Sequence, residues 1–156
     1  MGVPQKRRRI FIVCNRMGFG KLKLSFNEKP IVLKDLEKET DVILGKPLSE
    51  AFFKWWKLIG GNGGNFSDVH PKGSFYNSFK CSPLKPLNTI TACNGAKLTH
   101  YKFPNELSKE ILTMASSFPM DYDFGKIEPK YLLGMSVPPI MMAKVVEQIK
   151  LQWFKI

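Results

Sequence analysis

Met1-Gly2-Val3-Pro4-Gln5-Lys6-Arg7-Arg8-Arg9-Ile10-Phe11-Ile12-Val13-Cys14-Asn15-Arg16 leads from a Gly- and Pro-containing loop, through a basic cluster, straight into an apolar block at 10–13. β-Branched and aromatic residues in so short a block predict a buried strand. The arginines then stand where a loop enters a sheet, a place that holds side chains rigidly. Lys and Arg together number 24, and the chain's four arginines are Arg7, Arg8, Arg9 and Arg16. Every other basic residue is a scattered Lys. Concentrating Arg here points to Arg chemistry: a planar, bidentate donor whose charge is not lost. A solvated basic run or an import-type patch is the alternative reading of the cluster.

Around this stretch, 156 residues suffice for one domain with a core. The formal net charge of +11 points to a polyanionic partner, nucleic acid first and an anionic membrane second. The charge is spread along the chain rather than along one basic helix face, which favours nucleic acid. No apolar run approaches the ~20 residues of a membrane span, and no signal peptide is expected. Cys14, Cys81 and Cys93 are odd in number and lack CxxC spacing. That argues against a disulfide framework and a zinc site, and fits a reducing cytoplasm. His70 and His100 are isolated from each other and read as surface histidines.

Along the chain, alternation at 21–26 predicts a half-buried strand, and 34–38 a single helical turn. Ser49 predicts the cap of a helix over 50–59 with an aromatic inner face, stopped by Gly60-Gly61. Residues 60–65 read as a mobile loop without helix or strand; they lack the Lys-Ser/Thr ending of a phosphate-binding loop. The best strand candidates further on are 75–79 and 87–92. Ser108 starts a helix to about Ser117. Pro138 and Pro139 suit the first turn of a last helix reaching about Phe154, with Met142, Val145, Val146, Ile149 and Trp153 at core spacing. A buried-type strand at the start needs neighbouring strands and covering helices that this sequence does not supply. The expectation is a piece that completes a sheet belonging to something else.

Four blocks carry a family resemblance. Residues 2–12, beginning Gly2-Val3-Pro4-Gln5-Lys6-Arg7-Arg8-Arg9, resemble motif VIII of the C5-cytosine DNA methyltransferases, Gly-Val-Pro-Gln-x-Arg-x-Arg. Pro86-Leu87-Asn88-Thr89-Ile90-Thr91-Ala92 resembles the segment closing their target-recognition domain. Residues 107–122, Leu107-Ser108-Lys109-Glu110-Ile111 through Phe118-Pro119 to Asp121-Tyr122, are similar to motif IX. Gly134-Met135-Ser136-Val137-Pro138-Pro139 is similar to motif X. The blocks occur in the family's order and spacing and span nearly the whole chain. There are departures. Asn105 stands where motif IX carries Arg, Ile111 where it carries Glu, and Met135 where motif X carries Asn. These loosen the cross-ties expected between the motif IX helix and the recognition domain. The family's Phe-x-Gly-x-Gly cofactor loop, Pro-Cys nucleophile and Glu-Asn-Val motif do not occur; the three cysteines follow Val13, Lys80 and Ala92.

The resemblance implies an α/β fold, the C-terminal part of an S-adenosylmethionine-dependent methyltransferase. Residues 1–16 would be the motif VIII strand of the catalytic domain, 17–105 a small, irregular β-rich target-recognition domain, and 106–156 the motif IX and X helices returning to the catalytic domain. It implies methyl transfer from S-adenosylmethionine to carbon 5 of a flipped cytosine. A cysteine thiolate on a second polypeptide would attack carbon 6. Gln5, Arg7 and Arg9 would be the catalytic contribution of this chain. Arg9 would donate to the cytosine O2, Arg7 would lie beside the nucleophile and a phosphate, and Arg8 would face away. Ser136, Val137 and Pro138 would close the cofactor pocket, and Thr89, Thr91 and Arg16 would contact double-stranded DNA. No metal is implied. The expected setting is a bacterial or phage-like cytoplasm, with the chain inactive alone. The alternatives are a non-catalytic DNA-binding remnant of such an enzyme and an unrelated basic RNA- or membrane-binding domain.

Overall fold

Helix starts follow the polar and proline punctuation. The computed structural model describes residues 1–93 and 95–154. Ser108 caps a helix over Lys109–Ala115 (α3), its hydroxyl accepting the Ile111 N–H at 3.1 Å. Ser49 occupies the corresponding position before Glu50–Leu58 (α2), but only its carbonyl is used, by the Phe53 N–H. The expected single turn is Leu33–Leu36 (α1). Pro139 opens the helix Pro139–Ile149 (α5), which passes into a π-helical turn over Lys150–Phe154. One further helix, Pro129–Met135 (α4), follows the same grammar: Pro in its first turn, and the Glu128 carboxylate accepting the Tyr131 N–H at 2.8 Å.

The strands are short: Leu44–Pro47 (β1), Gly64–Asn65 (β2), Phe79–Lys80 (β3), Leu98–Thr99 (β4) and Asn105–Leu107 (β5). They form one five-stranded mixed sheet in the order β1-β5-β4-β3-β2, antiparallel except for the β3–β4 pair. The chain is thus a mixed α/β fold, and its sheet lies within residues 44–107. Two core clusters flank the sheet. One gathers Leu33, Leu36, Leu87, Ile90, Leu107, Ile111 and Leu133, among others; the second is aromatic, built on Phe52, Ile59 and Phe66.

Several expectations are corrected. The apolar block 10–13 forms no strand: Ile10 is 91% and Ile12 86% exposed. The nearest ladder contact is the parallel bridge Gln5–Leu87, with Lys6 N–H donating to the Leu87 carbonyl and Leu87 N–H to that of Pro4. Residues 21–26 form no strand either. The Gln152 amide takes both backbone groups of Lys23, and Trp153 Nε1 donates to the Gly20 carbonyl at 2.9 Å. Residues 64–65, read as loop, pair with β3. On α5, Met141 and Val145 are buried while Met142 and Val146 are exposed, so two of the five residues expected on the inner face, Met142 and Val146, are uncovered.

His100 is the clearest departure from the sequence reading. It is buried rather than on the surface. Its Nδ1 accepts the N–H groups of Lys102 and Phe103, and its Nε2 lies 3.1 Å from Glu37 Oε1. Burial lowers its pKa below the ordinary value, against the opposing pull of Glu37. No helix among the described residues is long and apolar enough to cross a membrane. No group of three His, Cys, Asp or Glu among them could hold a metal ion.

Candidate functional site

Extended backbone at the N-terminus sends alternate side chains to opposite sides. Gln5 and Arg7 accordingly turn inward and are buried, while Lys6 and Arg8 are exposed. Gln5 Nε2 donates to the Ala115 carbonyl at 3.1 Å and to Ser116 Oγ at 3.0 Å, at the end of α3. Arg7 Nη1 donates to the Ile90 carbonyl at 2.9 Å. Its Nη2 donates to the Gly134 carbonyl at 2.8 Å and to the Ser136 carbonyl. One fork thus fastens residue 90 to the end of α4 and to the segment entering α5. Thr89 Oγ1 donates to the Lys6 carbonyl and closes the same junction from the other side.

Backbone packing makes the junction tight. A Cβ on Gly134 would lie 2.3 Å from the Ala92 nitrogen and 2.5 Å from the Thr91 carbonyl carbon. Glycine is therefore what lets α4 close on residues 91–92. Ser136 Oγ donates back to the Leu133 carbonyl at 2.9 Å, Pro138 is buried, and Val137 is 37% exposed. The Ile140 N–H donates to Ser117 Oγ at 3.2 Å, tying α5 to the end of α3.

Electrostatics follow from the burial. Desolvation, then the neighbouring charge of Arg9, lowers the Arg7 pKa to about 10, so the guanidinium stays charged at neutral pH. Among the described residues, the buried side-chain polar atoms without a protein partner include Gln5 Oε1, Arg7 Nε and Thr91 Oγ1. Buried polar groups of this kind are ordinarily paired with protein or ordered water, at a cost of about 1–3 kcal/mol each if left unmade. Among the cysteines, Cys81 is buried and its thiol is pushed up to about 12 by desolvation, which removes it as a nucleophile at neutral pH.

The structure brings together Gln5, Arg7, Thr89, Thr91, Ser136 and Pro138, all singled out in the sequence. It does not bring Arg9 or Arg16 into this junction. Arg9 is exposed, with Nη1 donating to the carbonyl of Arg8 at 2.8 Å, and Arg16 is exposed on the segment beyond. Arg7, expected beside a nucleophile and a phosphate, has both terminal nitrogens on carbonyls of its own chain. Sequence reasoning missed the part played by Ala115 and Ser116 at the end of α3: the Ala115 carbonyl is a main-chain acceptor, which leaves no mark on residue type, and the Ser116 hydroxyl meets Gln5 only through the fold. No family model, curated protein or solved structure matches the chain.

Proposed function

We propose that this chain is the DNA-recognition and active-site-completing part of a C5-cytosine DNA methyltransferase. It would act with a second polypeptide carrying the cofactor loop and the Pro-Cys nucleophile. The observation that carries the reading is the meeting of four separated blocks around two side chains. Gln5 and Arg7 of the first block bond to Ile90 of the second, to Ala115 and Ser116 of the third, and to Gly134 and Ser136 of the fourth.

On this reading Arg9, exposed just beyond the junction, donates to the cytosine O2 and stabilises charge developing on the ring. Arg7 holds the base-side and cofactor-side segments together. S-adenosylmethionine would supply the methyl group. The exposed Val137, the buried Pro138 and the Ser136 carbonyl pinned by Arg7 fit one edge of its pocket, and the rest belongs to the second polypeptide. Lys residues and the net charge of +11 supply phosphate affinity, and the exposed Arg16 is free to add to it, whereas the Thr91 hydroxyl is buried and the Thr89 hydroxyl is spent on the Lys6 carbonyl. The setting is a bacterial or phage-like cytoplasm.

A non-catalytic DNA-binding remnant is the competing reading. It is favoured by the engagement of both Arg7 terminal nitrogens with carbonyls of the chain itself. The two separate when the chain is mixed with a polypeptide carrying the Pro-Cys motif and labelled methyl transfer to DNA is followed. Co-sedimentation and label on cytosine carbon 5 are expected only in the mixture. Neither a complex nor incorporation would leave the remnant reading standing.

A further inference from the structure

The loop at residues 70–77 leaves the edge of the sheet between the 3₁₀ turn Phe66–Asp68 and β3. It is held rigidly. His70 Nδ1 accepts the N–H groups of Lys72 at 3.2 Å and Ser74 at 3.3 Å, and the Gly73 N–H reaches the His70 carbonyl at 2.9 Å. Asn65 Nδ2 grips the Tyr76 carbonyl at 2.7 Å, and the Ser78 N–H closes on the Phe75 carbonyl at 2.8 Å.

Within this frame Phe75 has φ +65°, a left-handed conformation that a bulky L-residue rarely adopts. It is kept there by packing. Its ring centroid lies 4.5 Å from that of Phe52 and 5.2 Å from that of His70, which in turn packs on Trp55. The strained residue is the anchor, and its consequence is the next one: Tyr76 stands 69% exposed on a backbone that cannot relax.

An aromatic side chain left outside beside a packed aromatic cluster is exposed by construction. Its surroundings are basic. Lys72 is exposed on the same loop, and Lys54 sits over the Trp55 ring that supports His70. Asp68, at the entry, takes the Ser67 hydroxyl at 3.4 Å. A rigid tip offering an exposed phenol, followed by the half-buried Asn77 and flanked by ammonium groups, suits base edges in a groove, with the lysines on phosphates.

We propose that residues 70–77 are the sequence-reading loop of this chain, presenting Tyr76 and Asn77 to base edges of double-stranded DNA. This rests on the DNA-recognition reading above and names the segment that confers its specificity.

The test selects bound duplexes from a short randomised library with the full chain and with Tyr76→Ala, Asn77→Ala and Lys54→Ala. Circular dichroism checks that each variant is folded. Wild type should enrich a motif. Tyr76→Ala and Asn77→Ala should each erase or change positions in it, with about a tenfold loss of affinity for the enriched duplex. Lys54→Ala should weaken all duplexes by a similar factor. An unchanged motif with both loop variants, or retention of duplexes with no motif at all, would overturn the loop's role while leaving DNA binding intact. No retention of duplex DNA by wild type would instead remove the reading on which the loop's role rests.

Discussion

The two halves of the N-terminal stretch meet opposite fates. Up to Arg7 the chain is knitted into the protein: Pro4, Gln5 and Arg7 are buried, and the last two bond to residues more than 80 positions away. From Arg8 onward the same extended chain carries Ile10 and Ile12 almost fully in solvent. Composition alone suggests the reverse, because the basic residues would be outside and the isoleucines inside. The difference teaches that the Gln5 amide nitrogen and the Arg7 terminal nitrogens find their acceptors within this chain, whereas the apolar block and the exposed Met142 and Val146 of α5 have no cover from the described residues.

The comparison breaks first at Gly134. Gly134→Val, with its Cβ driven into the backbone of residues 91–92, should cost about 3 kcal/mol or prevent folding. Gly60→Ala, with nothing within 4 Å, should stay within about 0.5 kcal/mol. Urea denaturation of the pair checks both. Arg7→Ala strands the carbonyls of Ile90, Gly134 and Ser136 and should cost about 2–3 kcal/mol. Arg7→Lys should recover about half, because one ammonium cannot reach all of them. Gln5→Ala should cost only about 1 kcal/mol, since it also removes the unpaired Oε1.

His100, buried against Glu37 and the backbone of Lys102 and Phe103, gives the fold a pH signature. Its folded pKa lies below the ordinary 6.5, so the folded state prefers the neutral ring. Stability is therefore complete above 6.5 and declines as pH falls through the depressed folded value. Protonating Nδ1 would also displace the Lys102 and Phe103 N–H donors. Urea midpoints across this range should show the slope, and His100→Asn should flatten it. The smallest effect on stability belongs to the other half of the comparison. Ile10→Lys with Ile12→Lys should change the lone chain by no more than about 0.5 kcal/mol. The same pair should abolish co-sedimentation with the second polypeptide.

Much of the helical framework is legible in the sequence because its signals are local: Ser108 before an apolar period, Pro139 in a first turn, the aromatic face of α2. Helix α4 carried the same signal at Glu128-Pro129 but fully buries only Leu133, whereas the equally short α3 announces itself by Ile111, Leu112 and Ala115. Strands of two to four residues cannot display alternation, so β1, β2, β4 and β5 were invisible and only Phe79 of β3 fell within a predicted strand. The burial of His100 depends on Glu37 and on backbone donors, which no residue-type pattern encodes. At the candidate site the sequence singled out Gln5, Arg7, Thr89 and Ser136 through the four blocks, and the structure adds that they meet at one junction. Which of the Arg7 nitrogens meets which carbonyl required the fold.

The most direct test compares wild type with Arg9→Ala in the presence of the polypeptide carrying the nucleophile, measuring methyl incorporation and DNA affinity on the same sample. The account predicts turnover reduced by about 100-fold or more, with DNA affinity changed by no more than about threefold. Normal turnover together with a large loss of affinity would contradict it.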